Sequence, residues 1–319
     1  MPLGEFDLIA KFFTRSVTRA ALGVGDDCAL FGPSPGMQLA VSSDMLVEGL
    51  HFPPTVAPQR LGHKALAVNL SDLAACGAKP LGFTLALALP RVDEVFLAGF
   101  AQGLLALADR HECELVGGDT TQGPLNICIT VFGEVPTGRA LLRSGAQPGD
   151  DLYVSGTLGD ARLALEMFRG TPGLDGVALD AVRAAMEQPQ PRIALAIGLR
   201  DVATSAIDVS DGLLGDLAHV LRRSGVGATI DVDAVPRGPV LRTLPLAWQR
   251  TCTLAGGDDY ELVFTAPKRA AAQVVAVGDA AGVSVTRIGS IDAAPGLRLH
   301  DRAGDPVANN FGSFDHFKS

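Results

Sequence analysis

Stretches with a strand-like alternation of apolar residues and stretches with helical spacing follow one another along this chain. In the first half, the strand-like stretches are 37–42, 83–89 and 126–135. Residues 93–111 instead place apolar side chains three and four positions apart, which is typical of a helix. This alternation predicts that the first half is a mixed α/β unit.

The second half repeats the alternation. Its strand-like stretches are 151–155, 206–209, 228–232, 260–265 and 283–288, and its helical stretches are 158–168, 193–199, 211–223 and 269–280. Between the halves, 136–151 is dense in Gly, Pro and Arg, which is typical of a linker or a surface loop. Single cores stop growing at roughly 250 to 300 residues. The chain has 319 residues, so we expect two α/β (α+β) domains, 1–137 and 148–319.

The composition argues against several partners and compartments. The net charge is −9 with five lysines, which disfavours nucleic acid, because phosphate backbones are bound by clustered Lys and Arg. The five cysteines form no C-x-x-C pair and are typical of reduced residues. The N-terminus lacks a basic start followed by an apolar run, and no apolar stretch reaches the ~20 residues of a membrane span. We expect a cytoplasmic protein with no membrane partner.

Six short segments place aspartates beside glycine, serine or asparagine. They are Gly25-Asp26-Asp27, Ser42-Ser43-Asp44, Asn69-Leu70-Ser71-Asp72, Gly117-Gly118-Asp119, Asp208-Val209-Ser210-Asp211 and Gly256-Gly257-Asp258-Asp259. Carboxylates gathered close together repel one another unless a cation neutralises them, and oxygen-rich clusters suit magnesium or calcium. The pattern predicts a multi-metal site that binds a polyphosphate through magnesium.

Simpler interpretations remain open for several of these residues. The Ser71-Asp72 and Ser210-Asp211 pairs each precede an apolar helical run and would serve as helix N-caps. The Gly117-Gly118 pair would fit a plain turn after a strand, or a backbone that approaches phosphate closely. Arg143 is either a solvated charge or, in a chain so poor in lysine, a phosphate contact.

The familiar nucleotide-binding motifs are absent from the sequence. No G-x-x-x-x-G-K-[ST] loop, no G-x-G-x-x-G after a strand and no H-R-D followed by D-F-G occurs. If the chain binds ATP, it does so through another architecture.

The acidic segments and the words around them resemble the motif set of the thiamine-monophosphate kinase family. The matching words are Gly4-Glu5-Phe6, Gly25-Asp26-Asp27, 43–49 with His51-Phe52, Lys64-Ala65, 69–75, 117–121, 208–213 and 257–262. They span nearly the whole chain in the family's order. The resemblance implies the two-domain fold of the aminoimidazole-ribonucleotide synthetase superfamily, with an N-terminal domain that binds ATP and metal and pairs its sheet into a homodimer. It implies ATP-dependent phosphorylation of thiamine monophosphate to thiamine diphosphate.

The resemblance also implies roles for individual residues. Several magnesium ions would be held by Asp27, Ser42, Ser43, Asp44, Asp72, Asp119, Asp208 and Asp211. ATP would meet Gly118, Asp119, Arg143 and Ser210. Thiamine monophosphate would meet His51, Asp258 and Phe314. The chain departs from the family at Asp258, where Glu is usual, and at Cys76, where Met is usual.

The expected reaction needs no general base, because a phosphate acceptor with a second pKa of about 6 is already largely ionised at neutral pH. We therefore expect direct in-line transfer with no residue acting beyond the metal cluster. Two rival functions remain: a related selenophosphate or aminoimidazole-ribonucleotide synthetase, and a non-catalytic sensor of magnesium or nucleotide.

Overall fold

The computed structural model describes residues 4–25, 27–171, 174 and 179–312, and these fall into two compact units. The first unit holds the described residues up to Leu73 together with Ala78–Gly138. The second holds Ala74–Gly77 and the described residues from Arg139 onward. Part of the segment predicted as a linker or surface loop packs into the second unit, because Leu141 and Ala146 are both buried there.

In the residues that the structure describes, the first unit is one four-stranded sheet with three helices. Its elements are α1 (Glu5–Phe12), β1 (Met37–Val47), α2 (Pro58–Ala75), β2 (Lys79–Leu89), α3 (Glu94–Arg110), β3 (Glu114–Gln122) and β4 (Asn126–Pro136). The strand order is β1-β4-β2-β3. Strand β4 is antiparallel to both of its neighbours, whereas β2 and β3 are parallel and are connected through α3. Such a crossover is how parallel strands are joined.

Side-chain alternation assigns one face of this sheet to the core. On β2, Phe83, Leu85 and Leu87 are buried, and the residues between them include half-buried Thr84 and exposed Ala86. Strand β4 repeats this pattern with Ile127, Ile129 and Val131 buried. Since successive strand residues point to opposite faces, these buried residues share one face of the sheet.

Helices α2 and α3 cross with their backbones in close approach. A Cβ at Gly62 would overlap the Phe100 carbonyl oxygen, and one at Gly103 would overlap the Gln59 carbonyl oxygen. Helix α2 is buried at every position from 61 to 70, as expected for a helix without a solvent face. The glycines therefore set the distance between the two helices.

Helix boundaries confirm one predicted helix and settle one of the open interpretations. Asp93 caps α3 by accepting hydrogen bonds from Val95 N (3.0 Å) and Phe96 N (3.1 Å), so the predicted helix 93–111 is Glu94–Arg110. Helix α2 begins at Pro58 and ends at Ala75. The Ser71-Asp72 pair thus lies in the last turn of α2, and the N-cap interpretation of that pair was wrong.

The second unit contains a six-stranded sheet with six helices among its described residues. Its elements are β5 (Asp151–Ser155), α4 (Asp160–Phe168), α5 (Leu179–Glu187), α6 (Ile193–Leu199), β6 (Ser205–Asp208), α7 (Leu213–Ser224), β7 (Gly227–Asp231), α8 (Leu246–Ala255), β8 (Leu262–Ala266), α9 (Ala271–Ala281), β9 (Val285–Asp292) and β10 (Gly296–His300). The strand order is β10-β7-β9-β5-β8-β6. Leu152, Ile207, Leu217 and Val263 belong to its main core. The prediction of mixed α/β units is confirmed.

In the part of the chain that the structure describes, no helix combines the length and apolar character needed to cross a membrane.

The crossing of α2 and α3 gives a direct test of the packing. Gly103→Ala should lower the free energy of unfolding by about 2 kcal/mol or more, because the new methyl must push the Gln59 backbone away. Gly99→Ala, one turn earlier on α3, is the matched control: its nearest neighbour is the Pro58 Cβ at 3.1 Å. Urea unfolding of both variants measures the difference. Equal stability of the two variants would contradict the close crossing.

Candidate functional site

A cavity of about 490 Å³ in the first unit brings together three of the predicted site residues. Asp27, Gly118 and Asp119 line it on one side. Phe6 and Ile9 of α1 contribute an apolar wall. The cavity thus combines carboxylates and a glycine backbone with a surface that suits a planar apolar group.

Gly118 lies within β3, where the backbone approaches its neighbour too closely for a side chain. Strand β3 is at the edge of the sheet, and its pairing with β2 shifts register between Phe83 and Thr84. Gly118 has φ +151°, and a Cβ there would collide with the Leu85 carbonyl oxygen. The interpretation of Gly117-Gly118 as a turn after the strand was wrong, because both residues are part of the strand itself.

A second group of predicted residues lies where β1 faces the end of α2. The Ser42 hydroxyl donates a hydrogen bond to Asp72 Oδ2. The Asp44 backbone N–H donates to Asn69 Oδ1 at 3.0 Å. Asn69 was not predicted to have a role of its own, yet its buried side chain fixes the strand that carries Asp44.

Ser43 lies on the opposite face of β1 from Ser42. Its hydroxyl is 3.0 Å from Thr130 Oγ1 and 3.1 Å from the Ile129 carbonyl oxygen. Strand alternation separates neighbouring residues in this way. The structure therefore brings Ser42 to Asp72 but does not bring the side chain of Ser43 there.

The strand register relates these two groups of the first unit. Asp44 pairs with Ile129, Ile129 with Leu85, and Leu85 with Gly118, so all four lie in one row across the sheet. Three strand spacings of about 4.8 Å separate the outer Cα atoms by roughly 14 Å. The row places a carboxylate at one edge of the sheet and a glycine backbone at the other.

His51 lies in a tight turn after β1. Its Nδ1 accepts a hydrogen bond from the Val47 N–H at 3.0 Å. A neutral ring with Nδ1 as acceptor carries its proton on Nε2. The buried Lys64 ammonium donates to the His51 carbonyl oxygen at 3.1 Å. The turn is thus held from α2, and the imidazole has a defined tautomer.

In the second unit, the turn after β6 carries three predicted residues and is held by a fourth residue that was not predicted. Asp208, Ser210 and Asp211 lie at the end of β6 and in the following turn. The Asp216 Oδ2 accepts hydrogen bonds from the backbone N–H groups of Ser210 (3.0 Å), Asp211 (3.1 Å) and Gly212 (3.1 Å). The N-cap residue Gly212 has no side chain to cap α7, so an acid within the helix does so.

Asp216 is also electrostatically unusual. Burial, followed by the charge of Asp211, raises the pKa of Asp216 to about 7, although the three backbone amides favour its charged form. The sequence contained a signal for this role of Asp216. It is an acid in the first helical turn after Ser-Asp-Gly, and such an acid is a common partner for the free amides at the start of a helix.

The segment with Asp258 packs directly against the same turn. Asp258 N–H donates to the Ser210 carbonyl oxygen at 2.8 Å, and Tyr260 N–H donates to the Val209 carbonyl oxygen at 2.8 Å. The Tyr260 hydroxyl donates to Asp258 Oδ1 at 3.0 Å. The structure therefore brings Asp258 together with Ser210 and fixes its carboxylate.

Arg143 is exposed in the second unit and acts on a histidine near Asp211. Burial and the charges of Arg222 and Arg143 lower the pKa of His219, while Asp211 raises it. Arg143 and Asp211 thus share one neighbour. Phe314, predicted to face the substrate, lies outside the described residues.

The donor set suits magnesium bound together with phosphate rather than in a cage of protein ligands. Among the described residues, no three of His, Cys, Asp and Glu are grouped so that they could hold a metal ion. Magnesium commonly binds through one or two carboxylates plus substrate phosphates, and it prefers oxygen ligands. The pairs Asp27 with Asp119 and Ser42 with Asp72 are of this kind.

Comparison with known proteins identifies the class first. Models of the N-terminal and C-terminal domains of AIR synthase related proteins match residues 25–135 and 147–302. The two units are therefore those of an AIR synthase related protein, and the expected superfamily fold is confirmed.

Individual relatives show which family of this class the chain belongs to. A thiamine-monophosphate kinase of Salmonella typhimurium is 45% identical over 99% of each chain. The crystal structure of thiamine-monophosphate kinase from Stenotrophomonas maltophilia is 42% identical, covers 94% of this chain and 95% of its own, and has a TM-score of 0.84. The structure "AaThiL complexed with AMPPCP and TMP" is 29% identical over 90% of this chain and 89% of its own, with a TM-score of 0.77. This chain belongs to the thiamine-monophosphate kinase family.

The backbone approach at Gly118 can be tested with its neighbour as control. Gly118→Ala should lower the free energy of unfolding by about 1–3 kcal/mol, because the methyl group has no space beside the Leu85 carbonyl. Gly117→Ala should change it by less than about 1 kcal/mol, since the nearest atom to its Cβ would be Thr84 Cγ2 at 3.7 Å. Chemical denaturation of both variants measures this. Similar losses in the two variants would contradict the strand geometry.

Proposed function

We propose that this chain catalyses ATP-dependent phosphorylation of thiamine monophosphate to thiamine diphosphate. The observation that carries the proposal is family membership over 99% of the chain. A structural relative is complexed with AMPPCP, an ATP analogue, and TMP. One cavity in the first unit is also lined by five glycine and acid residues of the family's motifs, Gly25, Asp27, Gly117, Gly118 and Asp119.

The cavity beside β3 is the proposed nucleotide site. Gly118 and Asp119 offer the backbone of an edge strand to the phosphates, and the absence of a side chain at Gly118 permits close approach. Phe6 and Ile9 provide the apolar surface on which an adenine ring would lie. In the second unit, Arg143 and Ser210 are the proposed ATP contacts.

Carboxylates and hydroxyls would hold several magnesium ions. We assign this role to Asp27, Ser42, Ser43, Asp44, Asp72, Asp119, Asp208 and Asp211, and the side chain of Ser43 is the member that lies on the other face of β1. When bound, magnesium neutralises the negative charge shared by donor and acceptor phosphates. The Ser42 hydroxyl already donates a hydrogen bond to Asp72. These two side chains therefore lose less conformational entropy when magnesium binds.

The acceptor would be oriented by His51 and Asp258, with Phe314 as the third proposed contact. Asp258 is one methylene shorter than the usual Glu, and its carboxylate is held by the Tyr260 hydroxyl at 3.0 Å. A neutral His51 with its proton on Nε2 can donate a hydrogen bond to the acceptor. These residues position the acceptor phosphate for in-line attack.

Transfer proceeds directly from ATP to the acceptor phosphate. The acceptor is already ionised at neutral pH, so no side chain has to remove a proton from it. Burial raises the pKa of the Cys252 thiol to about 12 and the pKa of the Cys113 thiol even further, which leaves both as poor nucleophiles. The reaction therefore needs positioning and charge neutralisation rather than a covalent intermediate.

The first unit also carries the surface proposed for a homodimer. Strand β1 is an edge strand, and its outer face exposes Leu39, Val41 and Met45 at 45%, 56% and 54%. An exposed apolar face on an edge strand favours association. A second copy of this sheet offers a matching apolar face.

An acceptor panel tests the proposed function against its rivals. With ATP and magnesium, we expect ADP release to be stimulated by thiamine monophosphate but not by thiamine, selenide or formylglycinamidine ribonucleotide. ATP consumption that follows selenide or the ribonucleotide would assign the chain to a synthetase instead. Nucleotide binding without ADP release under any acceptor would favour a sensor.

The metal assignment predicts a separation of activity from stability. Asp72→Asn keeps an oxygen that can accept the Ser42 hydrogen bond but removes a charge, so turnover should fall about 100-fold or more. The free energy of unfolding without magnesium should stay equal or rise, because repulsion between carboxylates is relieved. Asp109→Asn, which breaks only an exposed ion pair with Arg15, is the control and should keep turnover. Full activity of Asp72→Asn would refute the metal role of this residue.

A further inference from the structure

Two carboxyl groups beside Asp258 have no role in the proposed reaction. Asp259 lies next to it in the chain, and Asp160 is the first residue of α4. Each has one buried oxygen without a hydrogen-bond partner among the described residues: Oδ2 of Asp259 and Oδ1 of Asp160. Buried polar atoms without partners are rare in folded proteins, and these two occur in one neighbourhood.

The turn that contains Asp259 is strained. Asp258 has φ +65° and Tyr260 has φ +51°, a left-handed conformation that costs roughly 1 kcal/mol or more for a residue with a side chain. Asp259 lies between these two residues. Its Oδ1 accepts a hydrogen bond from Gly159 N–H at 2.9 Å, which ties the turn to the start of α4.

The charges around Asp259 are predominantly negative. Asp160 of α4, Glu261 at the start of β8 and Asp258 in the same turn all raise its pKa in addition to burial. Glu261 is paired with Arg192, so that arginine is already engaged. Burial raises the pKa of Asp160, and the opposing effect comes from the charge of Arg242, which lowers that pKa.

Groups on the remaining element, α8, do not change this balance. Cys252 faces both aspartates, and its thiol is neutral because burial raises its pKa to about 12. Arg162 of α4 lies near Cys252 but is paired with Glu166 at 2.8 Å. An ionised Asp259 would thus be a buried charge without a partner cation, which is strongly unfavourable.

We propose that Asp259 is a positioning residue for the acceptor site, acting as a neutral carboxylic acid. Its Oδ1 accepts from Gly159 N–H, and its buried Oδ2 carries the proton. Protonation removes the charge of Asp259 from a site where its charged neighbours are Asp160, Glu261 and Asp258. The strained turn is held against α4, and Asp258 is presented to the acceptor. The inference rests on the proposed function through Asp258.

A cation between the two aspartates is the alternative arrangement. Two carboxylate oxygens are available, but no third His, Cys, Asp or Glu joins them as a metal-binding group within the described residues. A proton on Asp259 needs no further ligand. Asparagine discriminates between the two arrangements, since its amide reproduces the acceptor and the donor of a neutral acid but binds a cation poorly.

The first test measures stability against pH and does not depend on activity. A carboxyl whose native pKa is raised contributes stability that is complete below its unfolded pKa and is lost as pH rises toward the native value. The Asp259→Asn variant lacks this loss. Its melting temperature minus that of the wild type should therefore increase by about 4 °C or more from pH 5 to pH 8. The exposed Asp279→Asn is the control and should show no such increase.

A constant or shrinking difference in melting temperature would overturn the neutral state of Asp259. The series should be repeated with added magnesium and with added potassium. Stabilisation of the wild type by either cation that is lost in Asp259→Asn would overturn the neutral acid in favour of a bound ion.

The second test measures the effect on the acceptor. Asp259→Asn should keep the KM for thiamine monophosphate within about twofold, whereas Asp259→Ala should raise it about tenfold, because the Gly159 N–H loses its partner and the strained turn its tie to α4. The KM for ATP should stay unchanged in both variants. Asparagine and alanine variants with equal losses would refute the positioning role.

These outcomes separate the inference from the proposed function. A wild-type chain that does not phosphorylate thiamine monophosphate would refute the proposed function and, with it, the role of Asp259 toward the acceptor. The pH series would still decide whether the carboxyl is neutral.

Discussion

Hydrogen bonds from backbone amides to a buried carboxylate hold the turn on which the candidate site of the second unit depends. In the second unit, Asp216 holds the amides of the turn that carries Ser210 and Asp211. In the first unit, Glu114 accepts from the amides of 18–20, which lowers its pKa despite partial burial. Each such bond satisfies a donor that would otherwise be costly to bury. In the turn after β6, these bonds fix the backbone that carries Ser210 and Asp211.

The aspartates of this chain therefore divide into two groups with different physical roles. Asp216 and Asp259 face inward, accept from the backbone and pack beside strained or glycine-rich turns. Asp27 and Asp119 line a cavity instead, where cations and phosphates can reach them. Asp216 fixes the turn that carries Ser210 and Asp211, and a proposed metal ligand on a loose turn would lose much of its affinity to the cost of ordering. Two neighbouring acids such as Asp258 and Asp259 can belong to different groups.

A chain poor in lysine has few ammonium groups for phosphate, whereas its backbone approaches closely at one strand edge of the first unit. At Gly118 of the edge strand β3, the neighbouring Leu85 carbonyl leaves no space for a side chain. The row from Asp44 to Gly118 fixes the spacing between a carboxylate and that backbone. Rigid strands hold such a spacing more precisely than loops do.

The sequence by itself determined the α/β class, strand β5 and helix α6 to the residue, and the acidic motifs that identify the family. These are local properties, encoded in short-range apolar spacing and in characteristic words. The tertiary structure alone decided that Ser42 meets Asp72 while Ser43 does not, that Ser71 and Asp72 end a helix rather than begin one, and that Asp216 holds a turn. Such outcomes depend on which face of a strand a residue occupies and on contacts between residues distant in the chain. Local sequence patterns do not specify those contacts, because they are fixed only when sheets and helices pack together.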